Sequence, residues 1–408
     1  MRLTFLITNA YGGGDATRTA LTMAAALSAR HEVEVVSVLR HRDEPMVAID
    51  PRIRLRALVD NTPRALARRR SSRTPIGRTK HLMHTALSRV PSRLAHRQAV
   101  RYRVFSARSD LALIRFMRSL SGGVVIATRP SLNLIVARHA PSEVIAIGQE
   151  HREVARHSPP LRESFVRQYT GLDALVTLTE GDAADYRELL GDTTRVIAVP
   201  NAVPLVNGVR AGLGPETKVI VAAGRLTQQN GVDQLVAAFA RVHRNHPDWS
   251  LDIYGSGRAK ESLQSRIVST GLSDAVRLRG FSTDLPQRFA EASIFALGAR
   301  TEGFPRVMLE AMGVGLPLVS FDCPTGPADV IRHGHNGLLV PPGDVPALAT
   351  AIDRLIEDPG LRQRMGAAGA ELAAEYTADR IALRWERLFE ELGVAPRRRA
   401  TGGVLRRA

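Results

Sequence analysis

One cysteine, Cys323, occurs in the 408 residues of this chain. A single thiol excludes an intrachain disulfide and any cysteine-based metal cluster. Aromatic residues amount to only 5%, too few for a stacking platform that reads nucleic-acid bases. No apolar run approaches the ~20 residues that span a bilayer. Leu3–Ile7 is apolar but far too short for the core of a secretory signal, and polar Thr8 and Asn9 follow at once. The expectation is a cytoplasmic protein, soluble or associated with the cytoplasmic face of a membrane. No Asp-x-Asp pair occurs, and His333 and His335 have no partners at metal-ligand spacing, so neither a metal nor any other cofactor is expected. Acids are missing locally too. From Asn61 to Ser109 there is no Asp or Glu, whereas Arg64, Arg68, Arg69, Arg70, Arg73, Arg78, Lys80, Arg89, Arg93, Arg97, Arg101, Arg103 and Arg108 all fall there.

That block accounts for much of a net charge of +16. It points to an acidic partner, either an anionic polymer or an anionic membrane surface contacted through 61–109. A solvated arginine-rich face is the plainer alternative. The hydrophobic share is 44% and mean hydropathy is −0.09, as in a soluble globular protein. At this length two hydrophobic cores are expected rather than one.

The pattern along the chain gives the fold class. Arg2–Thr8 reads as a strand, Tyr11-Gly12-Gly13-Gly14 as a turn, about Thr17 to Ala29 as a helix, and Val33–Leu39 as a second strand. Such a unit opens a doubly wound α/β domain. It is not a dinucleotide fingerprint: the glycines do not follow GxGxxG, and Leu39-Arg40-His41 stands where an acid would end the second strand. This disfavours a nicotinamide-dependent oxidoreductase. Further strands at Gly123–Thr128, Val144–Ile147 and Ala174–Thr179 end in polar residues, where ligands gather in open parallel sheets. The pattern restarts at Lys218–Ala223, with Gly224-Arg225-Leu226 as a turn and Val232–His246 as a helix. The reading is two Rossmann-like, doubly wound domains of the α/β class facing a cleft. Their expected bounds are 1–205, with a basic insertion at about 61–109, and 206–375. A helix at 376–392 is expected to pack back toward the first domain, ahead of a basic tail at 393–408.

The stretch Arg300–Asp344 carries the most chemistry. Glu302-Gly303-Phe304-Pro305 precedes a short helix expected over Arg306–Met312, with Pro305 at its first position. A helix start with Gly303 and Phe304 before it suits a phosphate. Glu302 and Glu310 beside such a site would accept hydrogen bonds from hydroxyls, as in a sugar or ribose.

These residues resemble the retaining glycosyltransferases of the two-domain GT-B fold, specifically glycosyltransferase family four. The likeness rests on Gly224-Arg225-Leu226, on Gly255-Ser256-Gly257, and on Glu302-Gly303-Phe304-Pro305 with Glu310 eight positions on. Asn336-Gly337-Leu338-Leu339-Val340 adds to it, as do Gly12-Gly13-Gly14 and Pro200-Asn201-Ala202-Val203 in the first half. The run from Asp322 to Pro327 is similar to a subgroup that glucosylates poly(glycerol phosphate) teichoic acid or builds surface polysaccharides. The resemblance implies a hexosyltransferase-type, metal-independent enzyme. A UDP- or GDP-sugar donor would bind the second domain, and a cell-envelope polymer, lipid-linked or small-molecule acceptor the first.

Carried over by position, Glu302 would contact donor-sugar hydroxyls. The backbone of Gly303, Phe304, Pro305 and Val307 would surround sugar and diphosphate, and Glu310 would hold the ribose. Arg225 would clamp the diphosphate from beside Gly224 and Gly255. Gly13 would lay its backbone against it, and His151 would stand near the reacting centre. Glu302, His151 and Arg225 form the catalytic set. The family lysine five positions after the arginine is Asn230 here, so Arg225 with the helix start, or another cation such as Arg300 or Arg306, would have to serve. Alternatives are a sugar-nucleotide epimerase of the same architecture, or a catalytically weak protein that binds a sugar nucleotide or an anionic polymer. His151 also has a plain reading, as part of an exposed salt-linked loop with Glu150 and Arg152.

Overall fold

A computed structural model describes residues 1–70, 74–205, 208–214, 216–324 and 326–393. Arg73, Thr325, positions 206, 207 and 215 at the start of the expected second domain, and the basic tail after Gly393 lie outside the described residues. The chain divides into two compact units, Met1–Pro200 with Ile381–Ala408, and Asn201–Arg380.

Among the described residues, the first unit holds a seven-stranded parallel sheet. Its strands are β1 Arg2–Ile7, β2 Glu32–Arg40, β3 Arg54–Asp60, β4 Val124–Ala127, β5 Ile145–Gln149, β6 Ala174–Thr177 and β7 Val196–Ala198. Their order is β3-β2-β1-β4-β5-β6-β7, with the crossover between β3 and β4 returning the chain to the other side of β1. The central strands are buried throughout, as in β4 (Val124–Ala127, all buried). Helices on both faces exclude water from such strands, so they read as continuous apolar runs. The edge strand β3 went unanticipated because its sequence, RLRALVD, alternates arginine with apolar residues and is only partly buried.

The second unit builds a six-stranded parallel sheet from β8 Val219–Ala223, β9 Ser250–Tyr254, β10 Val276–Gly280, β11 Ile294–Leu297, β12 Leu318–Phe321 and β13 Gly337–Val340. The order is β10-β9-β8-β11-β12-β13. Two clusters pack its faces. One contains Phe239, Trp249 and Ile352, the other Phe289, Phe295, Met308 and Met312. Each fully buried phenylalanine contributes about 2–3 kcal/mol relative to exposure. Helix Val232–Asn245 turns Leu235, Val236, Ala238, Phe239 and Val242 inward, the face its periodicity requires.

The C-terminal helix expected at 376–392 is Ala378–Gly393, and a separate helix, Pro359–Ala374, precedes it. Between them the carbonyl of Tyr376 accepts from the Val203 amide at 2.9 Å, outside any helical ladder. The last helix buries Trp385 and Phe389. Its Glu386 accepts from Arg30 at 2.9 Å and pairs with His31 at 3.0 Å, within the first unit. Among the described residues, no helix is long and apolar enough to cross a membrane.

Candidate active site

In the second unit, the residues singled out for donor binding stand at the C-terminal ends of neighbouring strands. Gly224 and Arg225 follow β8, Gly255 follows β9, and the Glu302 loop follows β11. This edge is where an open parallel sheet receives ligands.

The turn after β8 is built by backbone proximity. Gly255 has φ +146°, and a Cβ there would lie 1.8 Å from the Gly224 carbonyl oxygen. Gly231 has φ +58°, and a Cβ there would lie 1.6 Å from the Gly298 carbonyl oxygen. No L side chain fits either contact. Asn230 sits inside the turn, its Oδ1 accepting from the Thr227 hydroxyl at 3.1 Å. Arg225 is exposed, whereas the other candidate cations are engaged. Arg300 makes a bidentate pair with Asp233 at 2.8 and 2.7 Å and also donates to the Gln228 carbonyl at 2.6 Å. Arg306 donates to Glu310 at 2.9 Å. Arg300 and Arg306 are thus both already paired, which corrects their expected role as spare cations for the Asn230 position. Arg300 instead joins the turn at 228–233 to the loop that carries Glu302.

That loop leads into helix Arg306–Gly313, with Pro305 as its N-cap residue rather than its first helical one. Glu302, Gly303 and Phe304 are half-buried. A Cβ on Gly326, at φ +95°, would come within 2.3 Å of the Gly303 carbonyl oxygen and 3.3 Å of the Glu302 side chain. The segment after β12 therefore braces the Glu302 loop from behind. Phe304 faces Tyr376, with ring centroids 6.3 Å apart, and Val307 is half-buried one turn before Glu310. The Glu310 side chain is only 12% exposed. Asn336 is structural: its Oδ1 accepts from the Arg332 amide and its Nδ2 donates to the Val330 carbonyl. Burial, with the Glu302 charge second, pushes the Cys323 thiol up to about 11.

The first unit holds Gly13 and His151. The glycine loop lies between β1 and helix Asp15–Leu27, fixed by the Tyr11 amide donating to Asn9 Oδ1 and by Arg18 donating to the Gly13 carbonyl. Neither Gly12, Gly13 nor Gly14 has positive φ. The nearest atoms to a Cβ at Gly13 belong to the Met46 side chain, at an ordinary 3.5 Å, so the fold itself does not demand glycine there. His151 follows β5. Burial, then the nearby Arg129 charge, lowers its pKa to about 4, so the ring is neutral at physiological pH.

Glu150 corrects the plain reading of this loop: it is buried, at 1% exposure. Its Oε1 accepts from the Tyr169 hydroxyl at 2.5 Å and from Asn133 Nδ2 at 2.8 Å. These partners come from helix Pro130–His139 and the turn after helix Pro159–Gln168. The available signal was position, since Glu150 stands where polar residues collect at a strand end.

Residues 210–372 match the family model described as Glycosyl transferases group 1. The exopolysaccharide phosphotransferase of Streptomyces coelicolor is 38% identical over 394 residues, covering 96% of this chain and 41% of that protein. The UDP-N-acetylglucosamine–peptide N-acetylglucosaminyltransferase GtfA subunit of Streptococcus gordonii is 32% identical over 179 residues, covering 42% of this chain and 35% of that protein. The chain thus spans about two fifths or less of the length of these relatives. A crystal structure of a Staphylococcus aureus TarM variant, in complex with fondaparinux, alpha-GlcNAc-glycerol and UDP, superposes with a TM-score of 0.72 at 14% identity. It covers 95% of this chain and 99% of that one. The fold is therefore GT-B, two Rossmann-like parallel sheets. Within it, 210–372 is the part similar to group 1 glycosyltransferases.

Proposed function

We propose that this chain is a retaining, metal-independent glycosyltransferase of family four. It takes a sugar from a UDP- or GDP-sugar to a cell-envelope polymer or lipid-linked acceptor. The observation that carries this reading is the convergence of exposed Arg225 and the Glu302–Glu310 segment on one edge of one sheet, joined through the Arg300–Asp233 pair. Glu302 accepts from donor-sugar hydroxyls, and Glu310 from the ribose. Arg225, its guanidinium shaped for two phosphate oxygens, takes the charge that builds on the departing diphosphate, and fixed charge there lowers the barrier. Gly13 leaves the diphosphate room. His151, as a neutral imidazole, offers a hydrogen bond rather than a charge. The leaving phosphate removes the acceptor's proton on the same face, which retains configuration.

UDP in the TarM complex and the UDP-sugar in the name of the streptococcal relative favour UDP as the nucleotide. The Streptomyces protein is named a phosphotransferase, but 59% of its length lies beyond the match (100 − 41). The matched domain is of glycosyltransferase type, which does not favour the epimerase alternative.

A panel of nucleotide sugars, scored by released nucleoside diphosphate and by thermal shift, tests the reading. One donor should both stabilise and turn over. Stabilisation without release under any acceptor would leave the weak binding protein, and neither response would sink the proposal. Asn230→Lys should hold or raise activity by restoring a cation beside Arg225, read as a donor KM equal to wild type or several-fold lower. A sharp loss would show that the turn has been rebuilt around asparagine.

The basic segment adds a peripheral contact. Helix Pro75–Arg89 exposes Leu82 and Met83, while Arg89, Arg93, Arg97, Arg101 and Arg103 are exposed along and after it. Basic charge with apolar side chains suits an anionic bilayer surface. Sedimentation with vesicles containing phosphatidylglycerol should fall steeply between low and high salt. Binding that ignores salt would refute the electrostatic contact.

A further inference from the structure

Behind His151 lies a buried polar cluster that the proposed chemistry does not use. Glu150 Oε1 is saturated by Tyr169 and Asn133, and the second N–H of Asn133 Nδ2 donates to the Gln149 carbonyl at 3.1 Å. Glu150 Oε2 has no hydrogen-bond partner, and neither has the buried Nε2 of His157. The two atoms face each other across 3.9 Å, with both side chains at most 2% exposed. Phe165 seals the cluster, stacked on Tyr169 and edge-on to His157. A buried carboxylate with one bare oxygen is expensive, whereas a neutral carboxylic acid with its proton on that oxygen costs much less.

We propose that Glu150 is a positioning residue that holds a proton on Oε2 facing His157 Nε2, and that this proton fixes the loop 150–157 and with it His151. The proposal rests on the assignment of His151 to the reacting centre.

The surroundings agree with it. Burial dominates and pushes Glu150 up to about 7, against the lowering effects of Tyr169, Asn133, Arg129 and Arg152. Burial also lowers His157 to about 4, helped by Arg152 and Arg162, so its ring is a neutral acceptor. On the other packed elements, Tyr186 faces the same cluster, with the charges of Asp182 and Asp185 near its hydroxyl. Tyr186 donates to the Arg152 carbonyl at 3.3 Å.

The sign follows. The unfolded glutamate loses its proton near 4.5 and the folded one near 7, so Glu150 lowers stability progressively as pH rises across that window. His151 and His157, lowered from 6.5 to about 4, act oppositely and lower stability as pH falls from 6.5 toward 4. Comparing wild type with Glu150→Gln cancels the histidines. The glutamine amide presents an N–H to His157 and a carbonyl to Tyr169 and Asn133, as the protonated acid does.

Two readouts test the proposal. Wild-type turnover should decline several-fold as pH rises through about 7, the pH at which Glu150 ionises, while Glu150→Gln stays at its low-pH rate. Tyr169→Phe removes a donor to the carboxylate and should move the wild-type step to higher pH. Without any substrate, the melting temperature of Glu150→Gln should exceed that of wild type by several degrees at pH 8 and converge with it at pH 5. A melting difference that does not change with pH overturns the buried proton. A pH-dependent melting difference with an unchanged activity profile overturns the positioning role. If no nucleotide sugar is turned over by wild type, the glycosyltransferase reading fails, and the melting experiment still decides whether Glu150 carries the proton.

Discussion

Replacing Glu302 by alanine should lower turnover by about 100-fold, a barrier increase of roughly 2.7 kcal/mol, once a donor is identified. The size is that of a charged hydrogen bond to the reacting sugar lost in a site where few groups share the work. Glu302→Gln keeps the side chain's packing against Gly326 and removes only the charge, so it separates electrostatics from loop placement. It should still lose at least tenfold. Glu310→Ala should differ in kind. Glu310 is paired with Arg306 and assigned to the ribose, so its loss should raise the donor KM more than it lowers kcat. Wild-type turnover in Glu302→Ala would mean that the paired glutamates have been misassigned.

Gly255→Ala should destabilise the second unit by about 3 kcal/mol or more, lowering its melting temperature by roughly 6–12 °C. The added methyl would fall 1.8 Å from the Gly224 carbonyl oxygen, at a φ of +146°. The turn carrying Arg225 and the loop after β9 would have to separate. Gly303→Ala is the counterpart, since no atom lies within 4 Å of a Cβ there and its φ is not positive. Its melting temperature should be unchanged. If the glycine exists to let donor sugar approach the backbone, its donor KM should rise. Calorimetry and donor titration on the two variants thus separate a glycine the fold requires from one a ligand requires. A stable Gly255→Ala would contradict the packing of these two loops.

The same two glycines show what was legible in the sequence. Strand, glycine turn and amphipathic helix at 218–246 were plain, because buried parallel strands and a 3.6-residue period leave local marks. The Glu302 loop was plain for the same reason. Contacts between loops left none. Nothing local to Arg300 announces that it is held by Asp233, 67 positions away in sequence, so in the sequence it reads as a spare cation. Glu150 was harder still. Flanked by His151 and Arg152, it looked like a surface charge. Its burial is decided by Asn133 and Tyr169, 17 and 19 positions away. Strand β3, with arginines at alternate positions, lacked the apolar run that marks its neighbours.

Cys323 has a practical consequence. It is the only thiol in the chain, 3% exposed, and protonated up to about pH 11. The thiolate, not the thiol, attacks alkylating reagents, so the native protein is already a silent background for site-directed labelling. A cysteine introduced at Leu82, 68% exposed on the basic segment, would take an environment-sensitive dye alone. The wild-type chain, with no engineered removal of cysteine, would serve as its blank.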